Sequence, residues 1–542
     1  MNAQISVPEP RNEPQLSFAP GTPERESLTR RLGELAAEQI ELTMTIDGVQ
    51  RMGGGDEINV VQPHKHRHVL GVARQADTSD VADAVTAAKQ AAPEWRAMPF
   101  AERAAVFLRA AELLAGPWRD TINGATMLGQ SKSAYQAEID AACELIDFLR
   151  YNVHFAHKLL GEQPISSPGV WNQFDHRPLE GFVLAITPFN FTAIGGNLPT
   201  APALLGNVAV WKPSPTQQLS AHYFMRVLEA AGLPPGVINM VTGDGKAVSE
   251  VALTDPDLAG VHFTGSVATF QHLWRTVGNN IDRYKNYPRV IGETGGKDFV
   301  IAHPSADPDA LHTALIRGAY EYQGQKCSAA SRAYIPQSIW NAGLRDRLIA
   351  TISEISYGDV SDFSHFGGAV IDHRAYQRLD AVLKSVASDS ACTVLAGGKA
   401  DDSEGYFVEP TLVQVSDAEH EVFWKEYFGP FLAVNVYADD KFSEVVAQAA
   451  DIAPYGLTGS IFATDRRVIE RASQTLRFSA GNFYINDKPT GSVVGHQPFG
   501  GARGSGTNDK AGSWQNLVRW ISPRTIKETF VAPTEWRYPH MG

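Results

Sequence analysis

Between Phe182 and Ser266 short apolar runs alternate with helix-length stretches, and this alternation restricts the chain to a small set of folds. Phe182 to Thr187, Val208 to Lys212, Val237 to Val241 and Gly260 to Thr264 read as strands. Pro199 to Leu205, Gln217 to Ala231 and Lys246 to Leu253 read as the helices between them. Strands of that length joined by right-handed helical crossovers pair in parallel, and the predicted class is α/β. A ligand of such a sheet sits beyond the carboxyl ends of the strands, which marks Thr187 to Asn190, Lys212 to Ser214 and Thr264 to Ser266. No Gly-x-Gly-x-x-Gly turn stands where the ordinary dinucleotide fingerprint would need it, so a nucleotide here would be held by other means.

A second alternating region runs from 296 to 490. It has strand-like Phe299 to Ile301, Ala333 to Ile335, Phe431 to Tyr437 and Gly459 to Phe462, with helical stretches at 307 to 323, 338 to 356 and 441 to 450. Earlier helices are expected at Glu24 to Ile40, from Thr78 with Thr78 and Ser79 as caps, at 101 to 115 and at 134 to 160. The tail, Ile521 to Val531, has strand character without an obvious partner, which predicts that it completes a sheet in a neighbouring subunit. The uncharged run from Gly181 to Trp211 is interrupted by Pro188, Asn190, Gly195, Gly196, Pro199 and Pro202, and suits strand, loop and helix rather than a membrane span.

A formal net charge of -13 makes the surface acidic, which argues against nucleic acid and anionic membranes as partners. Cys143, Cys327 and Cys392 are too few and scattered for a disulfide framework. With a Pro- and Glu-containing start unlike a secretion signal or basic transit peptide, they predict a cytoplasmic protein. His64, His66 and His68 alternate as on one strand face, but Lys65 and Arg67 would repel a metal ion. The run reads as a surface strand or turn, and no metal site is expected.

Tyr322-Gln323-Gly324-Gln325-Lys326-Cys327-Ser328 is a setting for a nucleophile. A thiol reacts as thiolate and needs access; Gly324 lets backbone and ligand approach, and Lys326 would favour the anion.

Glu293-Thr294-Gly295-Gly296-Lys297 followed by Cys327, with Pro188-Phe189-Asn190-Phe191, Trp211-Lys212-Pro213-Ser214, Phe263-Thr264-Gly265-Ser266, Glu426-Tyr427-Phe428-Gly429-Pro430 and Pro498-Phe499-Gly500-Gly501, resembles the aldehyde dehydrogenase superfamily. Residues 1–40 read as an arm of low hydrophobicity, and the resemblance implies a Rossmann-type NAD-binding domain over 41–295, with 155–177 contributing to a small β oligomerisation flap. An α/β catalytic domain over 296–499 would follow, then a return to the NAD-binding domain and a C-terminal oligomerisation strand over 500–542. It also implies roles. Cys327 would attack the aldehyde carbon, Asn190 and the Cys327 N–H would hold the oxyanion, and Glu293 would activate water against the thioester. Lys212 would bond the adenosine ribose of NAD, Gly265 and Ser266 would face its pyrophosphate, and Glu426 would hold the nicotinamide ribose. Phe428 would pack nearby, and Thr187, Phe189, Val267, Ala268 and Thr269 would complete the cofactor site. Pro215 stands where many relatives place a glutamate that reads the adenosine 2'-hydroxyl, so the exclusion of NADP stays open.

Within the superfamily, Thr294 after Glu293 and the ending Gly504-Ser505-Gly506-Thr507-Asn508-Asp509-Lys510 are similar to the 1-pyrroline-5-carboxylate (glutamate semialdehyde) dehydrogenases of proline breakdown. Such a substrate carries a carboxylate and an ammonium far from its aldehyde. Gly491 and Ser492, helped by Ser328, would bind the carboxylate, and Glu144 would face the ammonium. Another semialdehyde, such as that of succinate, is the nearest alternative. A cysteine acyl hydrolase or transferase is a more distant one and would have no use for Lys212 and Glu426. Gly500-Gly501 reads as a turn outside the site. The resemblance also implies a homo-oligomer, dimer or dimer-based. It leaves no room for a second enzyme domain, so a proline dehydrogenase would be a separate, transient partner.

Overall fold

The computed structural model describes residues 5–542. The first alternating region forms a seven-stranded sheet in the order Arg289–Glu293, Leu258–Thr264, Phe182–Ile186, Val208–Lys212, Ile238–Met240, Met44–Ile46, Val49–Arg51. The strands up to Ile238–Met240 are parallel, and Met44–Ile46 and Val49–Arg51 finish the edge antiparallel. Val208–Lys212 and Leu258–Thr264 are buried along their whole length, which is why they read as near-continuous apolar runs. The chain leaves Phe182–Ile186 toward one side and returns on the other with Leu258–Thr264, so the strand order reverses between these neighbours. Such a reversal opens a crevice at the carboxyl ends.

The second region forms another seven-stranded sheet, ordered Cys392–Ala396, Thr411–Val415, Phe431–Tyr437, Ala330–Pro336, Asp298–Ala302, Thr458–Phe462, Asn482–Ile485. Only Cys392–Ala396 runs antiparallel. Strand Asp298–Ala302 follows Arg289–Glu293 after four residues, so Thr294 to Lys297 pass directly from one sheet to the other.

Several expectations are corrected. The helix Thr78–Ala97 is capped by Asp77, whose carboxylate accepts from the Asp80 N–H at 2.9 Å while Asp80 accepts from the Asp77 N–H at 3.1 Å; Thr78 and Ser79 lie inside the first turn. The helix expected from Pro199 begins at Thr192, because the Asp140 carboxylate accepts from Thr192 and Ala193 N–H at 2.9 and 2.8 Å. The stretch 134 to 160 is not one α-helix: Glu138–Glu144 is a π turn between Ala134–Ala137 and Leu145–Gly161. His64 is buried rather than on the surface, with its ring against Ser131 Oγ at 3.0 Å and Asp359 at 3.4 Å. The tail strand, Ile521–Thr529, has a partner in its own chain. It pairs antiparallel with Val170–Pro178 over nine residues, a match that alternation in a tail alone does not reveal. No helix among the described residues is long and apolar enough to cross a membrane.

Candidate active site

Cys327 follows a backbone that few residues adopt. Tyr322, Gln323 and Gly324 have φ of 48, 52 and 63° in succession. A Cβ at Gly324 would lie 2.1 Å from the Gly429 carbonyl oxygen, so only glycine fits. Non-glycine residues in that region cost about 1 kcal/mol or more each and persist only where the surroundings over-determine them. Here Gln323 Nε2 donates to the Ser131 and Ala369 carbonyls at 2.9 and 2.7 Å, and Gln325 Oε1 accepts from the Ile371 N–H at 2.9 Å. Lys326 does not serve the thiolate as expected: its Nζ is buried against Glu321 Oε2 at 3.1 Å. Burial, reinforced by Glu293, Asp298 and Glu426, pushes the Cys327 thiol well above its ordinary range, so the resting sulfur is protonated.

Asn190 is buried, and its Nδ2 donates to the Gln325 carbonyl at 3.0 Å, which brings the amide onto the nucleophile loop. Lys132, invisible as a site residue in the sequence, ties the two loops together. Its Nζ bonds Asp140 at 2.6 Å and lies 4.2 Å from the Phe191 ring centroid and 4.4 Å from that of Tyr322. Asp140 in turn caps the helix after Asn190, so one buried pair positions both the amide and the thiol.

Two cavities meet at Cys327, the one residue common to both linings among the described residues. The smaller, about 170 Å³, is lined by Ser328, Gly491, Ser492 and Glu144, the substrate residues expected from the resemblance. Phe191, Thr490, Phe499 and the arm residues Asn12, Glu13 and Gln15 join them. Ser328 and Thr490 share a 2.8 Å hydrogen bond, and Gly491 turns at φ 91°. Glu144 lies on the π turn with no hydrogen bond or ion pair among the described residues. Burial, with Asp140 nearby, raises its carboxyl well above the usual range.

The larger cavity, about 580 Å³, opens at the strand-order reversal. Thr187, Phe189, Asn190, Lys212, Gly265, Ser266, Thr269, Glu426 and Phe428 line it. Val267 and Ala268 contribute no side chain to the lining; they open the helix Val267–Asn279, where first-turn N–H groups suit a phosphate. Lys212 is buried with a single 3.2 Å bond to the Gly243 carbonyl, and burial lowers its pKa to about 8. Glu426 Oε1 accepts from the Gly296 N–H at 2.9 Å, and a Cβ at Gly295 would collide with that carboxylate at 2.0 Å. Phe189 and Phe428 meet edge to face with centroids 5.8 Å apart. The size, the buried cation, the helix start and the carboxylate fit a dinucleotide. Arg374 and Arg378, one turn apart on the helix His373–Ser388, also line this cavity. On an exposed helix their spacing carries no site signal.

Glu293 lines neither large cavity. It faces a side cavity of about 30 Å³ with Glu144, Phe499, Asp509 and Asn516. The Gly504 to Lys510 ending wraps it. Thr294 N–H and Oγ1 donate to the Ser505 and Gly504 carbonyls at 3.0 and 2.5 Å, and Gly292 N–H donates to Thr507 Oγ1 at 3.0 Å. Burial raises the Glu293 carboxyl to about 8, with Lys510 opposing and Asp509 adding to the rise. A carboxyl poised near neutrality beside a nucleophile can exchange a proton with water.

The sequence pattern of the aldehyde dehydrogenase family matches residues 50–526. The chain is 47% identical to the probable delta-1-pyrroline-5-carboxylate dehydrogenase of Schizosaccharomyces pombe, covering 99% of each chain. It is 47% identical to the mitochondrial delta-1-pyrroline-5-carboxylate dehydrogenase of Homo sapiens, covering 98% of this chain and 94% of that one. Among solved structures, the Mycobacterium tuberculosis delta-pyrroline-5-carboxylate dehydrogenase bound with NAD superposes with a TM-score of 0.97 at 59% identity over all of both chains.

Proposed function

This chain belongs to the aldehyde dehydrogenase family, and from that premise we propose that it oxidises L-glutamate 5-semialdehyde, the open form of 1-pyrroline-5-carboxylate, to L-glutamate with NAD. The observation that carries this reading is that, among the described residues, Cys327 alone lines both a dinucleotide-sized cavity and a small one holding a glycine turn and a carboxylate without a partner. Gly491 and Ser492 suit the substrate carboxylate, and Glu144, desolvated and without a partner, suits its ammonium.

The Cys327 thiol gives up its proton to solvent water, the sulfur bonds the aldehyde carbon, and the resulting oxyanion is held by Asn190 Nδ2 and the Cys327 N–H. Lys212, Ser266 and Glu426 would hold NAD, which when bound would accept the hydride from that carbon. Loss of hydride leaves a thioester on Cys327. Glu293 takes a proton from water, the hydroxide oxygen bonds the acyl carbon, and the carbon–sulfur bond breaks to release the carboxylic acid and regenerate the thiolate. Asn190→Ala is expected to lower kcat/KM for the semialdehyde about 10²-fold, measured as reduced-cofactor absorbance. A change under about threefold would remove Asn190 from oxyanion binding.

The test of the reading is turnover of 1-pyrroline-5-carboxylate against succinate semialdehyde and propanal, each with NAD and with NADP. The first substrate with NAD is expected to be fastest; equal turnover of succinate semialdehyde would dismiss the ammonium site at Glu144. We further propose a homo-oligomer built on the ribbon of Val170–Pro178 and Ile521–Thr529, where Trp171, Phe530, Trp536 and Tyr538 are exposed. Light scattering of a monomer mass at micromolar concentration would sink it. The three unpaired cysteines favour a reducing compartment, which we take to be the cytoplasm. A separate proline dehydrogenase is the partner the substrate calls for, and mixing the two purified proteins without any effect on transfer of the intermediate would argue against contact.

A further inference from the structure

Asn12, in the N-terminal arm, lines the substrate cavity and is bonded to two of the elements around it. Its amide nitrogen donates to Asp147 Oδ2 at 2.7 Å and to the Val494 carbonyl at 2.9 Å, while its oxygen accepts from the Tyr151 hydroxyl at 2.8 Å. Asp147 lies one turn beyond Glu144, where the π turn runs into the helix Leu145–Gly161. Val494 lies at the end of the loop that carries Gly491 and Ser492. One side chain therefore spans the wall that faces an ammonium and the wall that faces a carboxylate.

The arm around it is fastened rather than loose. Glu13 N–H donates to Asp147 Oδ1 at 2.7 Å, and the Glu13 carboxylate pairs with Arg119 and, at 2.7 Å, with Arg150. Arg119 also bonds the Pro14 carbonyl at 2.8 Å, and Leu16 N–H donates to Glu138 at 2.8 Å. With its donors and acceptor all engaged inside the protein, Asn12 has a fixed rotamer, and the gap between the two walls is fixed with it.

We propose that Asn12 is a positioning residue for substrate selection, setting the separation between the Glu144 wall and the Gly491–Ser492 wall so that an α-amino-acid aldehyde is preferred over a simple one. The inference rests on the substrate reading above. An aldehyde without charged ends has no group for either wall to bind, so its turnover should depend little on the gap, whereas that of the amino-acid substrate should follow it.

The experiment compares wild type, Asn12→Ala and a variant lacking residues 2–13, each with the semialdehyde and with propanal as the varied substrate. Asn12→Ala is expected to raise KM for the semialdehyde about tenfold with kcat within about twofold, and to leave kcat/KM for propanal and KM for NAD unchanged. The truncation is expected to exceed it in the same direction. A semialdehyde KM within about twofold of wild type in both variants would overturn the proposal, as would an equal loss on both aldehydes, which would mean general loosening. Wild-type turnover of the semialdehyde, measured in the same series, separates these outcomes from a failure of the substrate reading itself.

Discussion

Cys327→Ala abolishes aldehyde oxidation, lowering kcat by at least about 10⁴-fold while NAD affinity stays within about twofold. Among the described residues the sulfur is the only nucleophile that reaches both cavities, so no neighbour replaces it. Cys143 lines the same small cavity, but burial next to Glu138 raises its thiol far above the ordinary range and leaves it inert. Alanine fits without strain, because the loop conformation is held by Gln323 and Gln325 rather than by the thiol. Cofactor binding, read from quenching of tryptophan fluorescence, therefore serves as the control for folding. Residual oxidation near one per cent of wild type, a loss of only about 10²-fold, would mean that another group carries the acyl chain.

Glu293→Gln is expected to separate the two halves of the reaction. Bond formation and oxidation at sulfur need no base at position 293, whereas hydrolysis does. A rapid burst of about one reduced cofactor per active site should be followed by steady turnover slowed about 10²- to 10⁴-fold. A variant that turns over at the wild-type rate, or shows no burst, would reassign the base. The wild type should show the matching pH dependence. With the Glu293 carboxyl at about 8, the basic form is a minority at neutral pH, so deacylation-limited kcat should rise about tenfold between roughly pH 7 and pH 9 and then level. The same shift has a stability sign. Between the ordinary carboxylate range and about 8 the folded protein holds a proton that the unfolded chain has lost, so this group's contribution to stability falls as pH rises through that window. Glu293→Gln removes that slope, and its melting temperature relative to wild type should increase from about pH 5 to about pH 8.

The parallel sheet was legible from Phe182 to Thr264 because buried strands in such sheets carry unbroken apolar runs, and the crevice followed from where those runs ended. Cys327, Asn190 and Glu426 were legible through the resemblance, each lying inside a motif of contiguous residues. What escaped was everything that depends on distance in the chain. Lys132 and Asp140 sit among ordinary helical residues, and only the fold brings them against Phe191 and Tyr322. The lysine beside the cysteine was misread for the same reason: adjacency in sequence says nothing about which way a side chain turns, and Lys326 turns to Glu321. The arm reads as low in hydrophobicity, and Phe18, among its few apolar residues, is buried. The rest of its order comes from ion pairs and amide bonds to groups over 100 residues away.

That Cys327 is, among the described residues, the one shared by two cavities also bears on how the reactants are kept apart. Aldehyde and dinucleotide have separate cavities that meet at one sulfur, so neither occupies the space of the other. An enzyme upstream that delivered the semialdehyde directly would have only one doorway to face, the one framed by the arm and the Thr490–Val494 loop, and could dock there without impeding cofactor exchange.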